Sequence, residues 1–303
     1  MSAASLNHEL GVPGALLFEE REGGLTVARM ASKAGLASVS LQGAHVFDWR
    51  VTAEQKPVLW LSRDAKFVPG KAIRGGIPVC WPWFGPHSEG SSFPAHGFAR
   101  AAAWEAVDSN VDSAGKVSLT LVLPQSAMPV EMWPHATAVQ LKITLGETLQ
   151  LALTTCNVGA ESFVLGEALH TYFNIHDIGS AIVGGLHGVT FWDTVGQVEK
   201  KQQSGPISFK KETDRVYIDS PQSCVIEDPD FRRRIRIDKS GSQSTVVWSP
   251  WTDKAERMGD LGKPDGWRSF VCVESANAWD NKLTLKPGEV HTLSVEYAVE
   301  DLR

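Results

Sequence analysis

The feature that most constrains this chain is a strict two-residue alternation of apolar and polar side chains that recurs along its length. In Val117 to Leu123, Leu119, Leu121 and Leu123 share one face while Ser118 and Thr120 take the other. Val139 to Leu145 repeats the pattern, with Val139, Leu141, Ile143 and Leu145 opposed by Gln140, Lys142 and Thr144. Near the end, Leu293, Val295, Tyr297 and Val299 oppose Thr292, Ser294 and Glu296. A helix needs a period of 3.6, so these segments are half-buried antiparallel strands. Further strands are predicted at Leu25 to Met30, Ala37 to Leu41, Leu149 to Asn157, Phe163 to Leu169, Cys224 to Glu227, Arg234 to Ile237, Thr245 to Trp248, Ser269 to Glu274 and Lys282 to Leu285. Turn signals at Ser113 to Gly115, Leu145 to Glu147, Lys239 to Gly241 and Lys286 to Glu289 separate several of them. Helix is confined to a turn or two near Lys254 to Asp260. So many short strands predict an all-β fold, a large antiparallel β-sandwich with minor helix, bigger than a seven-stranded immunoglobulin-like domain.

At 303 residues the chain is long for one domain, but large sandwiches reach this size. With no linker or repeat to divide it, residues 1–303 read as a single domain, residues 1–20 forming a loosely ordered N-terminal extension. The formal charge of −6 excludes a general nucleic-acid binder, which needs a basic face to displace counterions from phosphates. Cys80, Cys156, Cys224 and Cys272 lie far apart, without CxxC or Cys/His zinc spacing, and read as reduced thiols of a cytoplasmic protein. The N-terminus lacks the pattern of a signal peptide, and no apolar run approaches the roughly 18 residues that span a bilayer. No membrane association is expected.

The segment IRGGIPVCWPWFGPH, Ile73 to His87, followed closely by AHGFAR, Ala95 to Arg100, suits a turn-rich rim around a polar ligand. Gly and Pro set the backbone direction there, while Arg74, Arg100 and His96 stay available for contacts. Trp81 and Trp83 read equally as an apolar wall of the site or as core. Lys66 and Lys71 precede the arginine and could reach an anion, although flexible lysines in polar loops are usually just solvated. FRRRIR, Phe231 to Arg236, alternates as a strand with one charged face, an exposed sheet surface.

His170 ends an apolar strand in LGEALHTYF and, taken alone, reads as a satisfied core histidine. Glu274 shifts that balance, because VCVES places a carboxylate directly after Phe270, Val271, Cys272 and Val273, where burial is costly without partners or a task. Together they make a candidate general base and general acid. Hemiacetal chemistry needs such a pair: one proton leaves the C1 hydroxyl while another reaches the ring oxygen, and closure on the other face reverses both transfers. Positioned groups of this kind contribute roughly 10²- to 10⁴-fold each.

RGGIP, PWFGP, HGFAR, LHTYF, TDRVY, VVWSPW with the following DKAERMGDL, and VCVES, in this order from about Gly43 to Glu296, resemble the motifs of the glucose-6-phosphate 1-epimerase (hexose-6-phosphate mutarotase) family of the aldose 1-epimerase superfamily. The resemblance implies a galactose mutarotase-like β-supersandwich. It implies that His170 protonates the ring oxygen and that Glu274 is the base acting on the C1 hydroxyl. His96 would bind the substrate near the ring, and Asp214 would accept hydrogen bonds from sugar hydroxyls. Arg74 and Arg100 match the phosphate-site arginines that separate this family from relatives acting on free sugars. Their forked guanidinium groups suit a dianionic phosphate in a protein of negative net charge. Two positions depart from the pattern: Ser249 stands where Asn is usual, and Ala95 where some relatives have a substrate-touching Gln.

The expected protein is thus a mutarotase for a small-molecule hexose 6-phosphate, foremost D-glucose 6-phosphate. It is expected to be a monomer and to need no cofactor or metal, since the sequence has no tight His/Asp/Glu ligand spacing and anomerisation involves no redox change. The rivals are an aldose 1-epimerase for unphosphorylated sugars and a non-catalytic carbohydrate-binding sandwich.

Overall fold

The structure, a computed structural model, describes residues 1–302 apart from residues 22, 53–55, 89, 91 and 263. Among the described residues it contains twenty-three strands and two α-helices, the strands arranged in sheets of nine, eight, four and two. Strand pairing within the sheets is antiparallel.

Alternation builds the nine-stranded sheet. Its strands Val117–Leu123, Thr137–Leu145, Leu149–Asn157 and Val290–Asp301 lie side by side. They turn Leu119, Leu121, Leu141, Ile143, Leu151, Leu153 and Leu293 fully inward, while Gln140 and Lys142 stay exposed. Each such side chain contributes about 1.5–3 kcal/mol by leaving water. Against them lie Leu169, Val247, Val271 and Val273 of the eight-stranded sheet, in one contiguous core. Two buried hydrogen bonds cross this core: Trp81 Nε1 donates to Thr155 Oγ1 at 3.1 Å, and the Thr171 and Tyr297 hydroxyls meet at 2.7 Å.

The eight-stranded sheet differs at its centre, where both faces are covered. Its central strand Phe270–Asn277 is buried at every position, because one face joins the core and the other floors a cavity. A strand covered on both sides has no reason to alternate.

Other departures from the sequence reading are local. The strand expected over Phe163 to Leu169 breaks at Gly166 into Phe163–Leu165, paired with Leu283–Leu285, and Glu167–Leu169, paired with Phe270–Asn277. Residues 1–20 are not a loose extension. They form the helix Ala3–Glu9 and most of the strand Leu16–Arg21, joined by the Asn7 side chain, which bonds both the N–H and the C=O of Phe18 at 2.7 Å, and anchored by fully buried Leu6. The predicted helix appears as Trp251–Met258, ended by Gly259 in the left-handed region. In the basic run, Arg234 and Arg236 pair on the outer face with Glu227 and Glu300, but Arg233 is buried near Asp228.

Candidate active site

A cavity of about 460 Å³ opens over the outward face of the eight-stranded sheet. Cross-strand register builds its floor. One row aligns Asp214 of Thr213–Tyr217, Trp248 of Ser244–Ser249, Cys272 of Phe270–Asn277 and Tyr172 of Tyr172–Asn174; the next aligns Val216, Val246 and Glu274. His170 follows the strand Glu167–Leu169 directly, and its N–H donates to the Pro78 carbonyl at 3.0 Å. All six residues singled out from the sequence, Arg74, His96, Arg100, His170, Asp214 and Glu274, line this one cavity.

His170 Nδ1 lies 3.3 Å from Glu274 Oε1, with side-chain exposures of 10% and 1%. His170 Nδ1 and Glu274 Oε2 are buried without a hydrogen-bond partner among the described residues, so nothing in the protein saturates either group. Burial drives the Glu274 carboxyl well above the usual carboxylate range, reinforced by Asp214 and opposed by Arg100. Burial likewise drives His170 well below the ordinary imidazole value, helped by His96, Arg100 and Arg74. Both shifts favour the uncharged partners, a protonated carboxyl beside a neutral imidazole, over the ion pair. The His170 ring stacks on Tyr172 with centroids 4.9 Å apart and meets Trp248 edge-on at 6.0 Å, which fixes its plane.

The rim segment supplies the cations. Arg74 donates from Nε to Asp260 Oδ2 and from Nη1 to the Tyr172 hydroxyl, each at 3.0 Å. Two of its five N–H groups are thus used, and Asp260 and Tyr172 raise its already high pKa further against the effect of burial. The backbone behind it is held by His45, whose Nε2 donates to the Gly75 carbonyl at 2.8 Å. Gly76 must be glycine here: its φ is +63°, and a Cβ would sit 2.4 Å from the Val46 carbonyl oxygen.

Arg100 Nη2 donates to the Ala95 carbonyl at 2.7 Å, so the Ala95 position contributes backbone rather than side chain to this corner. His96 adopts φ +66° and accepts the Gly85 N–H on Nδ1 at 3.4 Å, which leaves its proton on Nε2. Burial, with Arg100 and Arg74, pushes His96 down to about 3, making it a neutral N–H donor at physiological pH. Gly97 then passes so close to the Trp81 carbonyl that a Cβ would lie 1.9 Å from its oxygen, at a φ of +73°. Gly97→Ala is expected to destabilise the protein by at least ~2 kcal/mol in urea unfolding and to displace His96; unchanged stability would contradict this account of the turn.

Asp214 sits across the floor, its Oδ2 3.4 Å from Lys254 Nζ, while Lys254 also pairs with Glu212 at 2.9 Å. Burial raises the Asp214 carboxyl, partly offset by Lys254.

Several assignments change. Trp81 is fully buried in the core against Phe98 and Trp133, not in the sugar wall, and Trp83 bonds the Pro94 carbonyl outside the cavity lining. Phe84, Trp248 and Trp279 supply the aromatic lining instead. Lys66 and Lys71 are exposed and do not line the cavity, whereas Lys254 does. Ser249 is fully buried and, by strand alternation, points away from the Trp248 face, so this departure does not touch the cavity. Trp248 and Lys254 both stand in the segment from VVWSPW to DKAERMGDL, and that motif was the available signal for them. Asp260 stands in the same motif, but only the fold brings it to Arg74.

The family model of aldose 1-epimerase matches residues 27–298, nearly the whole sheet assembly. The chain belongs to the aldose 1-epimerase family. An Escherichia coli relative of this epimerase, named "Putative glucose-6-phosphate 1-epimerase", is 40% identical over 260 residues, 84% of each chain. The crystal structure of a Salmonella typhimurium protein described as a "putative mutarotase" superposes with a TM-score of 0.86 at 32% identity, covering 96% of this chain and 95% of that one. A galactose mutarotase-like protein from Clostridium acetobutylicum shares the fold at 16% identity, with a TM-score of 0.73 over 94% of this chain and 98% of that one. The expected galactose mutarotase-like β-sandwich is thus the fold of this epimerase, an isomerase acting on sugars. Among its described residues, no helix is long and apolar enough to cross a membrane.

Proposed function

We propose that this epimerase interconverts the α and β anomers of a hexose 6-phosphate, D-glucose 6-phosphate foremost, with Glu274 as general base and His170 as general acid. The observation that carries the reading is the 3.3 Å His170–Glu274 contact on the floor of a cavity that also holds two arginines. The Glu274 carboxylate takes the proton from O1 as the C1–O5 bond breaks and its electron pair goes to O5, which is protonated by His170. The C1 aldehyde rotates about C1–C2, and the reverse transfers close the ring on the other face.

The reactive form, carboxylate with imidazolium, and the neutral form differ only by one proton moved across the contact. Both carry the same total charge, so no proton need enter from solvent in a turnover. Trp248 and Phe84 offer apolar faces to the pyranose C–H groups, while His96 donates to and Asp214 accepts from its hydroxyls. The four cysteines form no disulfide, which supports a cytoplasmic setting where sugar phosphates occur.

Arg74 and Arg100 would hold the dianionic 6-phosphate. Arg74→Ala and Arg100→Ala are each expected to raise the KM for glucose 6-phosphate by roughly 10- to 150-fold, the ~1.5–3 kcal/mol of a lost charge-assisted hydrogen bond, and to leave the rate on glucose little changed. Polarimetry on both sugars with each variant tests this. Equal wild-type efficiencies on glucose and glucose 6-phosphate would remove the phosphate assignment.

A further inference from the structure

Beneath the cavity floor lies a third donor that anomerisation does not use. Cys272 stands two residues before Glu274 on the same strand face, and the ligand atoms of His170, Cys272 and Glu274 all lie within 4.8 Å of one another. Sequence spacing gave no sign of this group, because His170 is about a hundred residues away. We infer that this triad is an inhibitory site for a thiophilic divalent cation, Zn²⁺ or Cd²⁺, which on binding takes both members of the catalytic pair out of action.

The geometry suits such an ion. Zinc bonds His nitrogen and carboxylate oxygen at about 2.0–2.2 Å and thiolate sulfur at about 2.3 Å in a tetrahedron, whose neighbouring N and O donors stand about 3.4 Å apart; His170 Nδ1 and Glu274 Oε1 stand at 3.3 Å. His170 Nδ1 and Glu274 Oε2 have no hydrogen-bond partner among the described residues, so no existing hydrogen bond of theirs must be broken. Three protein ligands leave the fourth position toward the cavity, where water or a sugar oxygen can enter. Binding releases the Cys272 thiol proton to solvent and forms a sulfur–metal bond, with no change of oxidation state. Arg74 and Arg100 in the same cavity oppose a cation, so thiolate coordination is what makes the site selective for soft metals over Mg²⁺ or Ca²⁺.

Cys272 is itself fully buried and is absent from the cavity lining, so its replacement separates metal capture from anomerisation. The experiment uses chelator-treated full-length protein, with Cys272→Ala and the bulkier Cys272→Val, which preserves packing if Ala leaves a void. Cd²⁺ titration of the wild type should produce one equivalent of thiolate-to-metal ultraviolet absorption that both variants lack. Zn²⁺ should inhibit wild-type anomerisation reversibly by EDTA and competitively with substrate, with half-inhibition at least tenfold higher in both variants. Equal Zn²⁺ sensitivity in wild type and variants, or no Cys272-dependent absorption, would overturn the site. Inhibition rests on the proposed catalytic pair, but the absorption does not: a Cys272-dependent band in a protein without anomerase activity would support the metal site and sink the catalytic reading instead.

Discussion

Glu274→Gln is expected to slow anomerisation of glucose 6-phosphate by roughly 10²- to 10⁴-fold, read by polarimetry or through a dehydrogenase specific for the β anomer. Glutamine keeps the shape and the hydrogen-bonding oxygen but cannot accept the O1 proton. The loss should not come from unfolding, and the sign of the pKa shift says why. Burial holds the Glu274 carboxyl well above the value it has in the unfolded chain, so the folded state binds this proton more tightly than the unfolded chain does. The stabilisation belonging to the protonated form is complete below the unfolded carboxyl value of about 4.3 and is lost as pH rises through the folded value. Glutamine carries no such penalty, so the variant should unfold at a temperature equal to or above that of the wild type at pH 7. A variant with near-wild-type turnover would end the role assigned to this carboxylate.

His170→Gln is expected to cost a similar roughly 10²- to 10⁴-fold and, in addition, to change the pH profile. An isolated carboxyl and imidazole share exactly one proton only between about 4.3 and 6.5. Here burial moves the carboxyl up and the imidazole down, so both limbs of the profile shift away from those reference values and belong to the pair rather than to either residue. Wild-type kcat should be highest where the pair holds one proton, falling on the acid side when both groups are protonated and on the alkaline side when both have lost the proton. His170→Gln removes the alkaline limb and leaves one titration on the acid side, that of Glu274, which must be ionised to act as the base. A wild-type profile whose limbs fall at the unperturbed values of about 4.3 and 6.5 would show that burial does not shift the pair.

Much of the fold was legible because it obeys the two-residue period. Thr137–Leu145, Leu149–Asn157 and Val290–Asp301 have one face in the core and one in water, and their sequences say so. The strands that escaped detection lack that asymmetry or are short. Thr213–Tyr217 carries Asp214 over the cavity floor and pairs on both sides, and Val79–Cys80 is two residues long. Trp81 misled because an aromatic beside a Gly/Pro-rich rim can face either way; only the neighbouring Phe98 and Trp133 fix it in the core.

The two-residue period by itself determined the all-β class, and the motifs the family and the six residues around the cavity, because each lies in a short segment whose turn and strand chemistry is local. Tertiary structure alone decided the rest: Glu274 against His170, Arg74 against Asp260, and Cys272 beside the acid–base pair are contacts between segments far apart in the chain. The shifted protonation of the pair belongs to the same class. A pKa depends on burial and on the charges within a few ångströms, and neither exists until strands distant in sequence are set into register.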